Sequence, residues 1–419
     1  MVGSEAGTGP GRGAVSWPRE LGAGVLGAVV MLAVVVTLGL LAHAPLAALP
    51  GVGPQLLRQG VTAALVTAGV GGLVFALARR GAMPVSGPSS ATALIFAGFV
   101  AQLMADPQWQ ASADIGSLLA AAGLAVSLGG LLQVGMALLR LGRLAQFVPM
   151  AVLAGFMNGV ALLIVLAQLP VLLGWGAAGV GLVPATLVLG LATAIATWAV
   201  ARRWPSQPAQ LVGLLAGLAL YGLLQWQWPA LWLGPVVGPL PQGLPWPDLP
   251  WQLATPGGSA LLVRHAGAVC STALVLALIG ALESLLSGLA LERQLAERFR
   301  PDATLLALGL SNLVVGLFGG LPSVLLRARA IATLRAGGRG MVSALAGAAT
   351  FLVVALALGP LVARLPLAVL AGVMLMVAAS LVDNWTKQLW AQWRSGERGA
   401  DVWQSLATVA LVCAVTVWQ

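Results

Sequence analysis

The chain has 419 residues, of which 59% are hydrophobic and 8% charged, and a mean hydropathy of +0.96. Such a composition belongs to a chain surrounded by lipid and excludes a soluble globule. The formal charge of +9 comes from arginines and lysines scattered singly and in pairs between apolar runs. This is the signature of residues retained on the cytoplasmic side of a membrane, and no basic tract suited to nucleic acid is present. Cys270 and Cys413 lie in apolar runs, away from His43 and His265, so neither a disulfide framework nor a zinc set is expected.

In chain order, a polar leader (residues 1–20) precedes an apolar run too long for a signal peptide and without a cleavage site, which predicts a retained first span. A bilayer core of about 30 Å needs about 20 apolar residues per helix. Segments at about 21–43, 56–78, 115–139, 148–174, 183–201 and 209–226 meet that need, with a shorter one at about 87–104. The stretch 225-QWQWPALWLGPVVGPLPQGLPWPDLPWQL-253 carries almost no charge, and residues 227–262 are expected to form an extracellular loop at the interface. The pattern then restarts at about 264–290, 302–318, a short 322–334, 341–363, 366–382 and 401–418. Trp385, Trp390 and Trp393, with basic residues between them, predict an amphipathic surface helix over 384–398. An inside N-terminus places Arg79, Arg80, Arg140, Arg143, Arg202, Arg203, the 292–300 loop, Arg335, Arg339 and the Lys387 to Arg398 stretch on one side.

Two rounds of one order, each with a short Pro/Gly-broken third element, predict an all-α polytopic fold of two inverted repeats, residues 21–226 and 263–419. The scheme is seven-plus-seven, with half-helices as the third and tenth spans. Only thirteen segments are found, so a fourteenth span is expected to be missing and the chain to be either truncated or a divergent short form.

The breaks, 84-PVSGPSSATALIFAGF-99 and 319-GGLPSVLLRARAIATLRAGGRG-340, raise a physical question. Non-helical backbone at membrane depth is tolerated only where it is buried in protein or lines a polar cavity. Two half-helix N-termini meeting there would present unpaired N–H groups and about half a unit of positive charge each, so an anion is the expected occupant. A pair of Pro/Gly kinks with a packing role is the alternative. The candidate ligands are Gly87, Ser89, Ser90 and Ser323, with the backbone N–H groups of Ser323, Val324 and Leu325. Arg327 and Arg329 are about 200° apart on a helix, so only one can face the pocket. Glu283 sits past the middle of a span, where a carboxylate costs about 2.5–3.5 kcal/mol unless paired, protonated or solvated. Ser287 lies one turn further on the same face. Arg329 could also simply neutralise Glu283. Asn158 and Asn312 read as interhelical hydrogen-bond formers.

From about Val85 to Asp383 the chain resembles the SulP, or sulfate permease, anion transporters. The resemblance rests on 86-SGPSSA-91, 145-AQFVPMAVLAGFMNGVALLIVLAQLPVLLGW-175, 281-ALESLLSGLALE-292 and 309-GLSNLVVGLFGGLPSVLLRARAIATLRAGGRG-340. It implies secondary active transport of a small anion such as sulfate or bicarbonate, by elevator-like alternating access, in the cell (inner) membrane with a cytoplasmic N-terminus. It favours Arg329 over Arg327 at the anion, and places a coupling sodium ion or proton at Glu283 and Ser287. No other cofactor and no metal site is implied; the expected partners are the anion, the bilayer and, where the family pattern holds, a second copy of the chain. Relatives usually continue into a cytoplasmic STAS domain, which is not expected within residues 1–419. The first span and the GPSSA opening are closer to the branch that carries cyclic-nucleotide-binding tails. Val324 and Leu325 stand where Thr-Gly is common, and Ala330 and Gly340 where Thr is common, so side-chain coordination of an anion is expected to be thin. An uncoupled anion channel or exchanger, a voltage-responsive membrane protein, and an inactive truncated form remain as alternatives. A nucleobase permease of the same architecture is disfavoured, because its acidic substrate clamps are missing. An enzyme is not expected, since no paired-carboxylate cleft, Cys/His set or phosphate loop is found.

Overall fold

The computed structural model describes residues 16–79, 85–107, 109, 114–143, 150–174, 183–241, 243, 249–295, 298–382, 384–395 and 400–418. Residues 1–15 of the leader, Arg80, Asp383, Arg398 and the start of the 145–175 motif lie outside them. The first repeat contributes α1 (Trp17–Ala42), α2 (Gly53–Ala78), strand β1 (Ser86–Pro88), α3 (Ser90–Met104), α4 (Ile115–Leu138), α5 (Met150–Leu173), α6 (Pro184–Arg203) and α7 (Ala209–Gln227). The second contributes α8 (Pro256–Leu295), α9 (Pro301–Leu317), β2 (Ser323–Leu325), α10 (Arg327–Arg335), α11 (Met341–Leu356), α12 (Leu367–Leu381), the surface helix α13 (Asn384–Arg394) and α14 (Ala400–Trp418).

Several boundaries differ from those expected. The short third span is not helical from its start: Pro88, lacking an N–H, ends a strand, and the helix begins only at Ser90. The segment expected at 264–290 is a 40-residue helix, about 60 Å long and twice the thickness of a hydrocarbon core. The segment expected at 341–363 breaks after Leu356, and Gly359–Ala363 forms a separate turn with proline at its start. Glu20, read with the polar leader, is the acid of the first turn of α1 and is buried.

Packing between the repeats is reciprocal, as interlocked inverted repeats require. α1 packs on α11 while α8 packs on α4; α3 touches α8 while α10 touches α1; and α12 packs on α6 while α14 packs on α5. Close approach depends on small residues, the means by which helices associate where lipid removes the hydrophobic drive. At the α4–α9 crossing a Cβ on Gly130 would lie 2.5 Å from Leu313 N, and one on Gly309 would lie 2.6 Å from Gly130 O. Ser127 Oγ donates to Leu313 O across the same crossing, at 3.1 Å. Two groups of helices result: α1–α4 with α8–α11, and α5–α7 with α12–α14, joined through the smaller contacts of α1 with α7 and α12 and of α3 with α5.

The Trp/Pro-rich loop reaches across to the second repeat, where Val237 N donates to Leu365 O at 3.0 Å and Leu367 N to Pro235 O at 3.0 Å. Trp226, Trp228 and Trp251 are exposed, as an aromatic belt at an interface would be.

Candidate functional site

The two sequence breaks meet. β1 and β2 pair antiparallel, with Ser86 opposite Leu325, Gly87 opposite Val324 and Pro88 opposite Ser323. Because the strands run in opposite senses, α3 and α10 leave from opposite ends of the ladder. Both helices therefore turn their positive N-terminal ends toward it. Gly87 allows this closeness: a Cβ there would lie 2.8 Å from Leu326 Cδ1.

Strand β2 is held from behind. Ser323 N donates to Asn312 Oδ1 at 2.6 Å, and Asn312 Nδ2 donates to Ser323 O at 3.0 Å. Leu325 N donates to Ser284 Oγ at 3.0 Å. These bonds correct the expectation that the N–H groups of Ser323 and Leu325 face an anion, because protein acceptors already take them; Val324 faces Gly87 within the ladder. The donors left over belong to the first turns, where a helix has no internal acceptors. Ser90 and Ala91 of α3, with Arg327 and Ala328 of α10, are such donors among the described residues.

Ser89 caps α3, its Oγ accepting from Thr92 N at 3.3 Å, and it donates to Glu283 Oε2 at 2.8 Å. Thr92 Oγ1 lies 3.0 Å from Ser89 Oγ and 3.3 Å from Pro322 O, its acceptor just before β2. A polar chain thus runs from α8 through α3 to β2. Ser287 is half-buried one turn beyond Glu283 and hydrogen-bonds to none of the described residues.

Arg329 lies behind β1. It is 1% exposed, its Nη1 donates to Ser86 O at 3.0 Å, and its guanidinium carbon is 5.0 Å from the centre of the Phe351 ring. Gly347 makes the space: a Cβ there would press on Nη2 at 2.5 Å. Arg329, buried, forms no ion pair with Glu283, which is half-buried, so the two groups stand on separate helices without neutralising each other. Arg327 is exposed.

Sequence reasoning missed Ser86, Thr92, Gln133 and Ser284. Ser86 and Ser284 lie inside the motifs quoted above, but a serine, threonine or glutamine does not by itself tell which group it holds; only the contact identifies it. Asn312 is the expected interhelical hydrogen-bond former, and it also holds the ladder itself. Asn158 Nδ2 likewise donates to Thr386 Oγ1, at 3.0 Å, joining α5 to α13.

Interlocked inverted repeats crossing at a broken-helix ladder define a membrane transporter architecture. The chain matches the sulfate permease family over residues 20–404 and belongs to that family. It is 29% identical over 343 residues to the bicarbonate transporter BicA of Synechocystis, covering 77% of this chain and 57% of that protein. It is 26% identical over 294 residues to the putative sulfate transporter YbaR of Bacillus subtilis, covering 70% and 56%. The chain thus spans little more than half the length of these relatives. Among solved structures, the transmembrane domain of a cyanobacterial BicA superposes with a TM-score of 0.76 at 25% identity, over 96% of this chain and 95% of that one. The structure of SLC26A9, at 18% identity, shares the fold with a TM-score of 0.70 over 96% of this chain and 65% of that one.

Proposed function

We propose that this chain carries a small oxyanion of the bicarbonate or sulfate class across the cell membrane by secondary active transport, with its N-terminus on the cytoplasmic side. The anion is received at the ladder by the first-turn N–H groups of α3 and α10, next to Gly87, Ser90, Ser323, Val324 and Leu325. Arg329 contributes positive potential from behind β1 through Ser86 O. The relatives named for bicarbonate and sulfate transport support this class of substrate.

The observation that carries the coupled reading is the bond from Ser89 to Glu283. A serine has one proton, and while Glu283 is an anion that proton points at its carboxylate. Neutralising Glu283, by a proton or by a sodium ion held with Ser287, weakens that charge-assisted bond and lets the Ser89 hydroxyl turn to donate to an anion at the ladder. Cation and anion then bind together. The grouping of the helices supports a sliding movement of α1–α4 and α8–α11 against the rest. A cavity of about 420 Å³ lies between the two groups, lined by Leu26, Ala328, Arg335, Gln207 and Met376 among others. Arg335 Nη1 reaches Pro205 O, at 2.8 Å, from one group to the other.

The test is uptake of radiolabelled sulfate and bicarbonate into proteoliposomes, with and without an inward sodium or proton gradient. Gradient-stimulated accumulation of at least one of the two is expected. Absence of uptake of either under every gradient would overturn the reading, and uptake indifferent to the gradients would remove its coupled part.

A further inference from the structure

Glu283 lies on α8, and besides the chain through Ser89 and Thr92 the structure joins α8 to the anion-side strand β2 twice. The direct join is Ser284 Oγ to Leu325 N. The second runs through two amides. Gln133 Nε2 on α4 donates to Ala277 O on α8 at 3.3 Å, Asn312 Nδ2 on α9 donates to Gln133 Oε1 at 2.9 Å, and Asn312 holds both backbone groups of Ser323. Gln133 is 1% exposed and Asn312 4% exposed, so water does not compete for these bonds.

The helices are shaped for this path. A Cβ on Gly129 would lie 3.1 Å from Ala273 O, and one on Gly130 would lie 2.5 Å from Leu313 N. Neighbouring glycines therefore bring α4 against α8 on one side and α9 on the other, and Gln133, one turn later, spans both. Gly280 leaves room for the link, since a Cβ there would sit 3.1 Å from Gln133 Nε2 and 3.7 Å from Val324 Cγ1. Gly280 is three residues before Glu283, on the same face of α8.

We infer that Gln133 and Asn312 are positioning residues that transmit the state of Glu283 on α8 to β2, so that the cation-loaded protein holds the ladder in its anion-binding form. The inference rests on the coupled reading above. A chain of buried, hydrogen-bonded amides is a connection along which a small shift of α8 displaces Ser323, and with it the opposing Pro88 and the start of α3. Coupling between two sites is reciprocal and amounts typically to about 5–150-fold in affinity.

The decisive variant is Gln133→Leu. It cuts the amide link from α9 to α8 while the Ser284–Leu325 bond remains; Asn312 Nδ2 keeps Ser323 O but loses Gln133 Oε1 as an acceptor, and a mid-helix carbonyl such as Ala277 O keeps its helical partner. The measurement is the KM for radiolabelled sulfate and bicarbonate in proteoliposomes with and without sodium, and at two pH values, for wild type and variant. Wild type is expected to show a KM ratio of about 5 or more between the two cation conditions, and Gln133→Leu a ratio reduced toward one, with a somewhat lower melting temperature from the Asn312 N–H left unpaired. Asn312→Leu, which frees Ser323, is expected to raise KM under both conditions. A merely structural role would lower stability and leave the ratio untouched. Wild type with cation dependence and a Gln133→Leu variant that keeps it overturns the inference alone; wild-type uptake without cation dependence overturns the coupled reading and the relay together; no wild-type uptake at all overturns the transport reading.

Discussion

Ser89 Oγ on α3 donates to Glu283 Oε2 on α8 at 2.8 Å, across 194 residues of sequence. This bond joins the first repeat's half-helix to the second repeat's first long helix beside the ladder, and it places a carboxylate and a helix N-cap in one hydrogen-bonded unit.

Glu283→Gln keeps the shape of that unit and an oxygen to accept from Ser89, but removes the charge. Gradient-driven accumulation is expected to fall to the level seen without a gradient, a loss of about tenfold or more, while the melting temperature in detergent stays near that of wild type. Unchanged gradient dependence would assign Glu283 to structure.

The two arginines of α10 should behave differently. Arg329→Ala leaves Ser86 O buried without its donor, at a cost of about 1–3 kcal/mol, and removes the positive charge behind β1. Lower thermal stability and weaker anion binding are expected together, the latter by about tenfold, a free-energy change of about 1.4 kcal/mol. Arg327→Ala alters an exposed side chain and should leave stability unchanged. Titration calorimetry with sulfate or bicarbonate, run beside thermal melts, separates the two; a stronger effect from Arg327→Ala would reverse the assignment.

Gly130→Ala puts a methyl group 2.5 Å from a backbone nitrogen of α9, and backbone cannot swing aside as a side chain can. Overpacking of this kind costs about 1–3 kcal/mol, and here it would also stretch the bonds from Gln133 to both neighbouring helices. A clear drop in melting temperature is expected, whereas Gly98→Ala, where nothing lies within 4 Å, serves as the neutral control. Equal melting temperatures for the two variants would contradict the close crossing.

Glu20 caps another helix in trans. Its carboxylate accepts from Arg339 N at 2.8 Å, Gly340 N at 3.2 Å and Ser343 N at 3.3 Å, at the start of α11. Glu20→Ala should destabilise the protein by about 0.5–2 kcal/mol, the range for a lost N-cap, and expose the linker between α10 and α11. Hydrogen exchange over residues 337–343 reports it; protection equal to wild type would count against the cap.

The membrane-spanning character, the order of segments, the restart after the Trp/Pro-rich stretch and the two broken third elements were all legible in the sequence. Each rests on a local property, since twenty apolar residues, or a proline beside glycine and serine, mean the same thing wherever the chain later goes. Pairing Ser89 with Ser323 at one place was also within reach, because the repeat pattern supplies the symmetry that superposes them. What only the tertiary structure decided is which polar groups answer which. Nothing near Asn312 says that it holds Ser323, nothing near Ser284 says that it takes the Leu325 N–H intended for an anion, and Gln133 gives no sign of bridging α8 to α9. The charge of Arg329 is visible in the sequence, but its place behind β1 depends on Gly347, a position on another helix that leaves room for a guanidinium. Hydropathy is summed along the chain, whereas a buried hydrogen bond is decided by atoms from segments that folding alone brings together, and its cost when unmade is what selects a single arrangement.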